Sequence, residues 1–184
     1  MELFALSDRE PGRLLAVTDA DEHLYCGDLS AASEALARAI GGHVLVFLLC
    51  ENTPGTLLGY LGCLRCGAVP LLLDAHIAPR LLKGLAETYR PAFYYVPCDL
   101  PKETRAVLPQ AAPVLELHGS LLLSGSVEGP AIHPDLALLL TTSGSTGSPK
   151  LVRLSGKNLD ANARSIAEYL NLGEDERPIT TLPM

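Results

Sequence analysis

Between Leu136 and Leu154 the chain places hydroxyls, glycines and a lysine in an order suited to an anion. An apolar run, Leu136-Ala137-Leu138-Leu139-Leu140, enters Thr141-Thr142-Ser143-Gly144-Ser145-Thr146-Gly147-Ser148-Pro149-Lys150, and Leu151-Val152-Arg153-Leu154 follows. Small residues let backbone N–H groups approach phosphate oxygens. The hydroxyls of Thr142, Ser143, Ser145 and Thr146 donate further hydrogen bonds, and Lys150 brings full positive charge. Gly144 and Gly147 accept positive φ, while Pro149 fixes φ beside Lys150 and pushes Ser148 toward extended backbone. The chemistry this suits is retention of a polyphosphate. The Walker A loop is a poor match, because proline rather than glycine precedes Lys150 and Leu151 stands where that motif has Ser or Thr. Leu151 to Leu154 alternates like a strand, and helical spacing begins only past Ser155, so no helix dipole is aimed at the anion. On composition alone, a Gly/Ser/Thr hairpin loop with a solvated lysine fits equally well.

Other reactive side chains form no constellation. The 5 histidines, His23, His43, His76, His118 and His133, show neither HxxxH nor HExxH spacing. The 5 cysteines are an odd number at irregular spacing, so disulfides are not expected. Cys63-Leu64-Arg65-Cys66 is a CxxC without the second ligand pair that zinc needs, and reads as buried cysteines on a helix. No metal site is expected. Asp135 reads as a turn residue, and Arg153 as a solvated strand residue with a phosphate contact as the less favoured reading.

The elements that must position the loop follow from periodicity. Leu14–Thr18 and His23–Cys26 flank a turn-rich Asp19-Ala20-Asp21-Glu22 and predict a β-hairpin. Leu29, Ala32, Leu36, Ala37 and Ile40 recur at helical spacing, with Asp28 or Ser30 as cap and Gly41-Gly42 as stop. His43–Cys50 is a continuous apolar run suited to a strand buried on both faces. A helix from Thr53-Pro54 to Cys66, stopped by Gly67, leads to a strand at Ala68–Leu73, which makes a βαβ unit and a parallel sheet. The pattern repeats with a helix from Pro79 to Tyr89 and a strand at Ala92–Val96. A short helix near Lys102–Leu108, strands near Val114–Leu117 and Leu121–Leu123, and a connecting loop from Gly125 to Pro134 complete the reading. The fold class is α/β, a doubly wound, mostly parallel sheet with flanking helices.

Composition sets outer bounds. The net charge of −7 argues against nucleic acid or an anionic membrane as partner, so any anion must be held locally. With 48% apolar and 19% charged residues, the chain has a core to bury rather than the composition of a disordered segment. Glu2 stands where a secretory signal would be basic, and the apolar stretch Thr56–Leu73 is broken by Arg65 and Pro70. A cytoplasmic protein without a membrane span is expected.

The order Thr-Ser-Gly-Ser-Thr-Gly-Ser-Pro-Lys over 142–150 resembles the signature loop of the AMP-dependent synthetase and ligase family, the adenylate-forming, acyl-CoA synthetase-like enzymes. The likeness extends along most of the chain. Tyr25-Cys26-Gly27-Asp28-Leu29 loosely resembles a family stretch that leads into a helix. Leu64-Arg65-Cys66-Gly67-Ala68 through Asp74 looks like a variant of a family helix end and strand, and Leu154-Ser155 with Asn158-Leu159 resembles the helix entry after the loop. The chain departs from the family pattern in having Leu151 after the lysine and Gly156 two residues before Asn158.

The resemblance implies that residues 1–184 form the N-terminal portion of the large AMP-binding domain, an incomplete part of the adenylate-forming fold, with a phosphate-binding loop at 141–150. It implies ATP-dependent joining of a small-molecule carboxylate to the α-phosphate, with Mg²⁺, release of pyrophosphate, and transfer of the acyl group to a thiol such as coenzyme A. The implied nucleotide contacts are Thr142, Ser143, Gly144, Ser145, Thr146, Gly147 and Lys150. Catalytic residues, including an acidic magnesium ligand and the lysine of a small C-terminal domain, are expected past Met184. The 184-residue chain alone is therefore expected to bind ATP weakly and turn over nothing. The ending Ile179-Thr180-Thr181-Leu182-Pro183-Met184 resembles acyl- and aryl-CoA synthetases more than amino-acid-activating domains. A sheet without its later strands exposes an edge and an apolar face, so a homodimer is also expected. The competing reading is a non-catalytic nucleotide-binding or interaction module derived from such a ligase.

Overall fold

A strand buried on both faces must send alternate side chains into separate cores, and Leu45–Cys50 does so at every position. In the computed structural model, which describes residues 10–110, 112–126, 128–142, 150–173, 176 and 178–179, this segment is β3. Its Leu45, Phe47 and Leu49 join one cluster with Leu71, Leu73, Leu82, Leu85 and Tyr94. Val46, Leu48 and Cys50 join a second with Leu36, Ile40, Cys63, Tyr95 and Leu122.

The elements around β3 have readable local causes. Helix α1 (Cys26–Ile40) follows the small antiparallel sheet of β1 (Leu14–Val17) and β2 (His23–Tyr25). Its cap is Tyr25, not Asp28 or Ser30 as expected: the Asp28 carboxylate, one turn in, accepts the Tyr25 N–H at 2.7 Å. Helix α2 (Pro54–Cys66) starts where the Thr53 hydroxyl accepts the Thr56 N–H at 3.3 Å and ends at Gly67, whose φ of 80° suits a residue without Cβ. Strand β4 (Val69–Asp74) then runs parallel to β3 from Leu45 opposite Val69 to Cys50 opposite Asp74. Helix α3 (Pro79–Tyr89) packs Leu82 and Leu85 on the other face, and β5 (Phe93–Pro97) returns parallel to β3 on its far side.

After the short α4 (Lys102–Ala106), β6 (Leu115–Leu117) and β7 (Ser120–Ser124) form a hairpin that adds to β5 antiparallel. Its turn places His118 at φ 44° and Gly119 at φ 75°, the double positive φ that matches strand twist. Strand β8 (Leu136–Thr142) lies parallel to β4, and β9 (Lys150–Ser155) pairs antiparallel with β8. The 7-stranded order is β6-β7-β5-β3-β4-β8-β9, a parallel centre with antiparallel margins and α1/α2 opposite α3. The doubly wound, mostly parallel α/β architecture is the one expected. No helix among the described residues is long and apolar enough to cross a membrane.

Cys26, Cys50 and Cys63 are buried, Cys66 is half-buried with its thiol donating to the Cys63 carbonyl at 3.4 Å, and Cys98 is exposed. Burial pushes the Cys50 thiol up to about 12 and raises Cys63 further. The Cys98 thiol is also raised, first by local desolvation and then by Glu116 and Asp99, with Arg105 opposing. Only the thiolate attacks alkylating agents. Native protein at pH 8 is therefore expected to label with iodoacetamide at Cys98 alone, more slowly than an ordinary cysteine and faster as pH rises. Mass spectrometry of the alkylated chain checks this, and labelling of Cys63 before unfolding would contradict the packing.

Candidate functional site

Parallel strands end together, and ligands of open α/β sheets gather outside their carboxyl ends. Here β3 closes at Cys50, β4 at Asp74, β5 at Pro97 and β8 at Thr142. The apolar part of β8 anchors it: Leu138 and Leu139 are buried, Leu140 is half-buried, and Thr141 and Thr142 emerge into solvent. Lys150, the first residue of β9, stands at this rim directly opposite Thr142. Two sequence-nominated residues, Thr142 and Lys150, are thus brought together. Ser143, Gly144, Ser145, Thr146 and Gly147 lie outside the described residues.

Opposed residues of an antiparallel pair share a face. Thr142, Lys150, Leu140 and Val152 therefore occupy one face of the hairpin, and Thr141, Leu151, Leu139 and Arg153 the other. The Thr142 hydroxyl donates to the Lys150 carbonyl at 3.3 Å. Both residues are exposed, so the ammonium pays no burial cost before meeting an anion. Arg153, weighed as a phosphate contact, stands on the opposite face and lines a separate cavity.

The far end of the hairpin is fixed. The His43 ring lies within hydrogen-bond distance of two carbonyl oxygens, Nδ1 to Gly67 at 2.7 Å and Nε2 to His133 at 3.2 Å. It therefore links the turn after α2 to the entry of β8. Asp135 is a turn residue, its N–H donating to His133 Nδ1 at 3.2 Å. Ser155 caps α5 (Gly156–Tyr169): its hydroxyl accepts the Asn158 N–H at 3.2 Å, and the Asn158 amide oxygen accepts the Ser155 N–H at 3.0 Å. This helix starts about 17 Å of strand away from Lys150, so its dipole is not presented to the loop. Cavities of about 650 and 390 Å³ also lie at this end, both touching Asp135, Leu136 and Ser155. Neither includes Thr142 or Lys150.

Helix α5 has no buried residue; Ile166 and Tyr169 on it, and Leu170 at its C-cap, are exposed. Val152 on β9, and Leu172 and Ile179 beyond the helix, are exposed as well. The described residues hold no group of three or more His, Cys, Asp or Glu able to cage a metal ion.

Known proteins share both sequence and fold with this chain. It is 27% identical over 163 residues to the 3-hydroxybenzoate–CoA ligase of Aromatoleum sp. (strain CIB), an alignment covering 80% of this chain and 31% of that enzyme. It is 26% identical over 187 residues to bacitracin synthase 3 of Bacillus licheniformis, covering 97% of this chain and 3% of that protein. Among solved structures, O-succinylbenzoate coenzyme A synthetase from Bacillus subtilis, in complex with ATP and a magnesium ion, superposes with a TM-score of 0.74 at 23% identity. That match covers 98% of this chain and 50% of the other, and it shows the fold, the N-terminal part of an adenylate-forming enzyme. The chain spans about a third of the length of the ligases it matches first. Residues 4–184 match the family described as AMP-binding enzyme, and the chain belongs to that family.

Proposed function

We propose that the polypeptide carrying these residues is an AMP-forming acid ligase: it activates a small-molecule carboxylate with ATP to an acyl-adenylate and passes the acyl group to a thiol such as coenzyme A. The observation that carries this reading is the membership of residues 4–184 in the AMP-binding enzyme family. The exposed Thr142–Lys150 rung supports it, since it opens at the carboxyl rim of the parallel strands. Thr142, Ser143, Gly144, Ser145, Thr146, Gly147 and Lys150 form the phosphate-binding loop of this proposal. Their task is to align the nucleotide and neutralise the pyrophosphate that leaves, because the carboxylate is itself the nucleophile.

The solvent-exposed Lys150 opposite the Thr142 hydroxyl fits a polyphosphate, whose oxygens would carry Mg²⁺. When bound, Mg²⁺ would offset charge on the leaving phosphates. Aryl and aliphatic acids are the substrates favoured over amino acids, on the ending 179–184. The protein is proposed to act in the cytoplasm.

The test is carboxylate-dependent exchange of pyrophosphate into ATP by the polypeptide as it occurs in its source, across a panel of aryl, aliphatic and amino acids. Exchange with an aryl or aliphatic acid supports the reading. Nucleotide binding without exchange on any acid would replace it with a non-catalytic nucleotide module, and neither binding nor exchange with an interaction module. The purified 184-residue chain is expected to form no acyl-adenylate.

The apolar residues of β9 and α5 lead us to propose self-association of this chain. A second species of twice the monomer mass in sedimentation is expected, weakened by Tyr169→Ser with Leu170→Ser. A monodisperse wild-type monomer at high concentration would refute it.

A further inference from the structure

We infer that His43 is a proton-operated latch: as an imidazolium it ties the entry of β8 to the turn that ends α2, and as a neutral ring it releases that entry. Its Nδ1 lies 2.7 Å from the Gly67 carbonyl oxygen and its Nε2 3.2 Å from that of His133. Carbonyl oxygens only accept hydrogen bonds, and a neutral imidazole carries a single N–H. Both contacts are therefore hydrogen bonds only when both ring nitrogens carry a proton. In the neutral ring the shorter contact keeps the proton on Nδ1, and Nε2 turns a lone pair toward the His133 carbonyl oxygen. Loss of one proton to solvent thus converts the second bond into a repulsion.

The ring stands where one bond has leverage. His43 is two residues ahead of β3, Gly67 two ahead of β4 and His133 three ahead of β8, and these strands are neighbours in the order β3-β4-β8. One side chain therefore spans the amino ends of three parallel strands. On the β4 side, β8 has its first register pair only at Leu139, opposite Leu71, and the ring joins the residues before it to that side. Strand ends open before strand centres. Across the cavity of about 390 Å³ the ring shares its surroundings with Asp135 and, from α5, with Lys157 and Asp160, while α2 and the turn after it present only uncharged residues there. His133 titrates beside it, its Nδ1 accepting the Asp135 N–H at 3.2 Å with the Asp135 carboxylate 4.0 Å away, so a test must separate the two rings.

His43→Gln removes the ionisable ring, keeps an amide N–H for one carbonyl and leaves His133 in place. The reporter is the Leu136 amide, which donates to the His133 carbonyl at 2.9 Å in the turn that the latch holds. In the intact polypeptide, hydrogen-exchange protection of this amide at about pH 5.5 is expected to be about three- to ten-fold higher in wild type than in His43→Gln, the range of one net hydrogen bond. At about pH 8 the two are expected to be equally protected. A wild-type-to-variant ratio that is unchanged between the two pH values, or that rises toward pH 8, overturns the latch: a constant ratio above one makes His43 a fixed tie, and a ratio of one means that the ring does not hold β8. Ring-15N histidine spectra of the wild type give a second reading that needs no variant to fold. His43 is expected to pass from two protonated nitrogens in acid to the Nδ1–H tautomer at about pH 8, and the Nε2–H tautomer there overturns the proposal.

Discussion

Lys150→Ala is expected to lower carboxylate-dependent ATP–pyrophosphate exchange by about 10²- to 10³-fold, the usual cost of removing a preorganised group that meets developing charge. The chain carries a net charge of −7, so its general field repels a nucleotide and local cations must reverse that. Arg153 cannot substitute, because it projects from the opposite face of the hairpin. Lys150→Arg should recover part of the loss: the charge is kept, but a planar guanidinium on a different stem does not reproduce a compact ammonium. Because Lys150 is exposed, the alanine variant should unfold within about 0.5 kcal/mol of wild type. Exchange kinetics and urea melts of the same preparations check both halves. Unchanged exchange would remove the lysine from the phosphate site.

The second large effect is on stability and reverses an ordinary rule. Gly→Ala inside a helix normally stabilises by roughly 0.5–1 kcal/mol, and at Gly84 on α3, where an added Cβ meets nothing within 4 Å, that gain is expected. At Gly59 on α2 the same change should cost about 2–3 kcal/mol. Its Cβ would fall on the Tyr95 ring, 2.8 Å from Cδ1 and closer still to Cε1. Tyr95 cannot yield, being 1% exposed with its hydroxyl donating to the Gly55 carbonyl at 3.1 Å. Gly55 is closed off too, since a Cβ there would come within 2.5 Å of the His118 carbonyl oxygen. Helix α2 therefore rides on the sheet by a glycine face, and alanine at 59 must push it away from β5. Denaturant melts of Gly59→Ala and Gly84→Ala should show midpoints moving in opposite directions.

Local information reached most of this architecture. The continuous apolar run at β3, the Thr53-Pro54 start and Gly67 stop of α2, and the alternation after Lys150 each depend on a few neighbouring residues, and each element stands where its pattern placed it. The start of α1 was less legible, because an aspartate one turn inside a helix serves the backbone as readily as one at the cap. Strand direction was legible in the βαβ units, where a crossover helix makes neighbours parallel, but not at the margin of the sheet. Nothing local tells that Leu121–Leu123 runs against β5, since that depends on a turn at 118–119 and on which edge lies open. At the site, residue order nominated the loop, whereas the hydrogen bond from the Thr142 hydroxyl to the Lys150 carbonyl needed the register of two strands.

The position of β8 also shapes how the chain is born. Strands β3, β4 and β5 have all emerged by Pro97, but the neighbour that covers the outer edge of β4 is not complete until Thr142. The pairing of Leu72 with Leu140 closes a span of about 70 residues, a slow contact by topology. At a synthesis rate of 5–20 residues per second, that edge stays open for roughly 2–9 s on each ribosome. The hairpin that presents Lys150 is thus also the late cover of an aggregation-prone strand, and chaperone demand should be concentrated in that interval of translation.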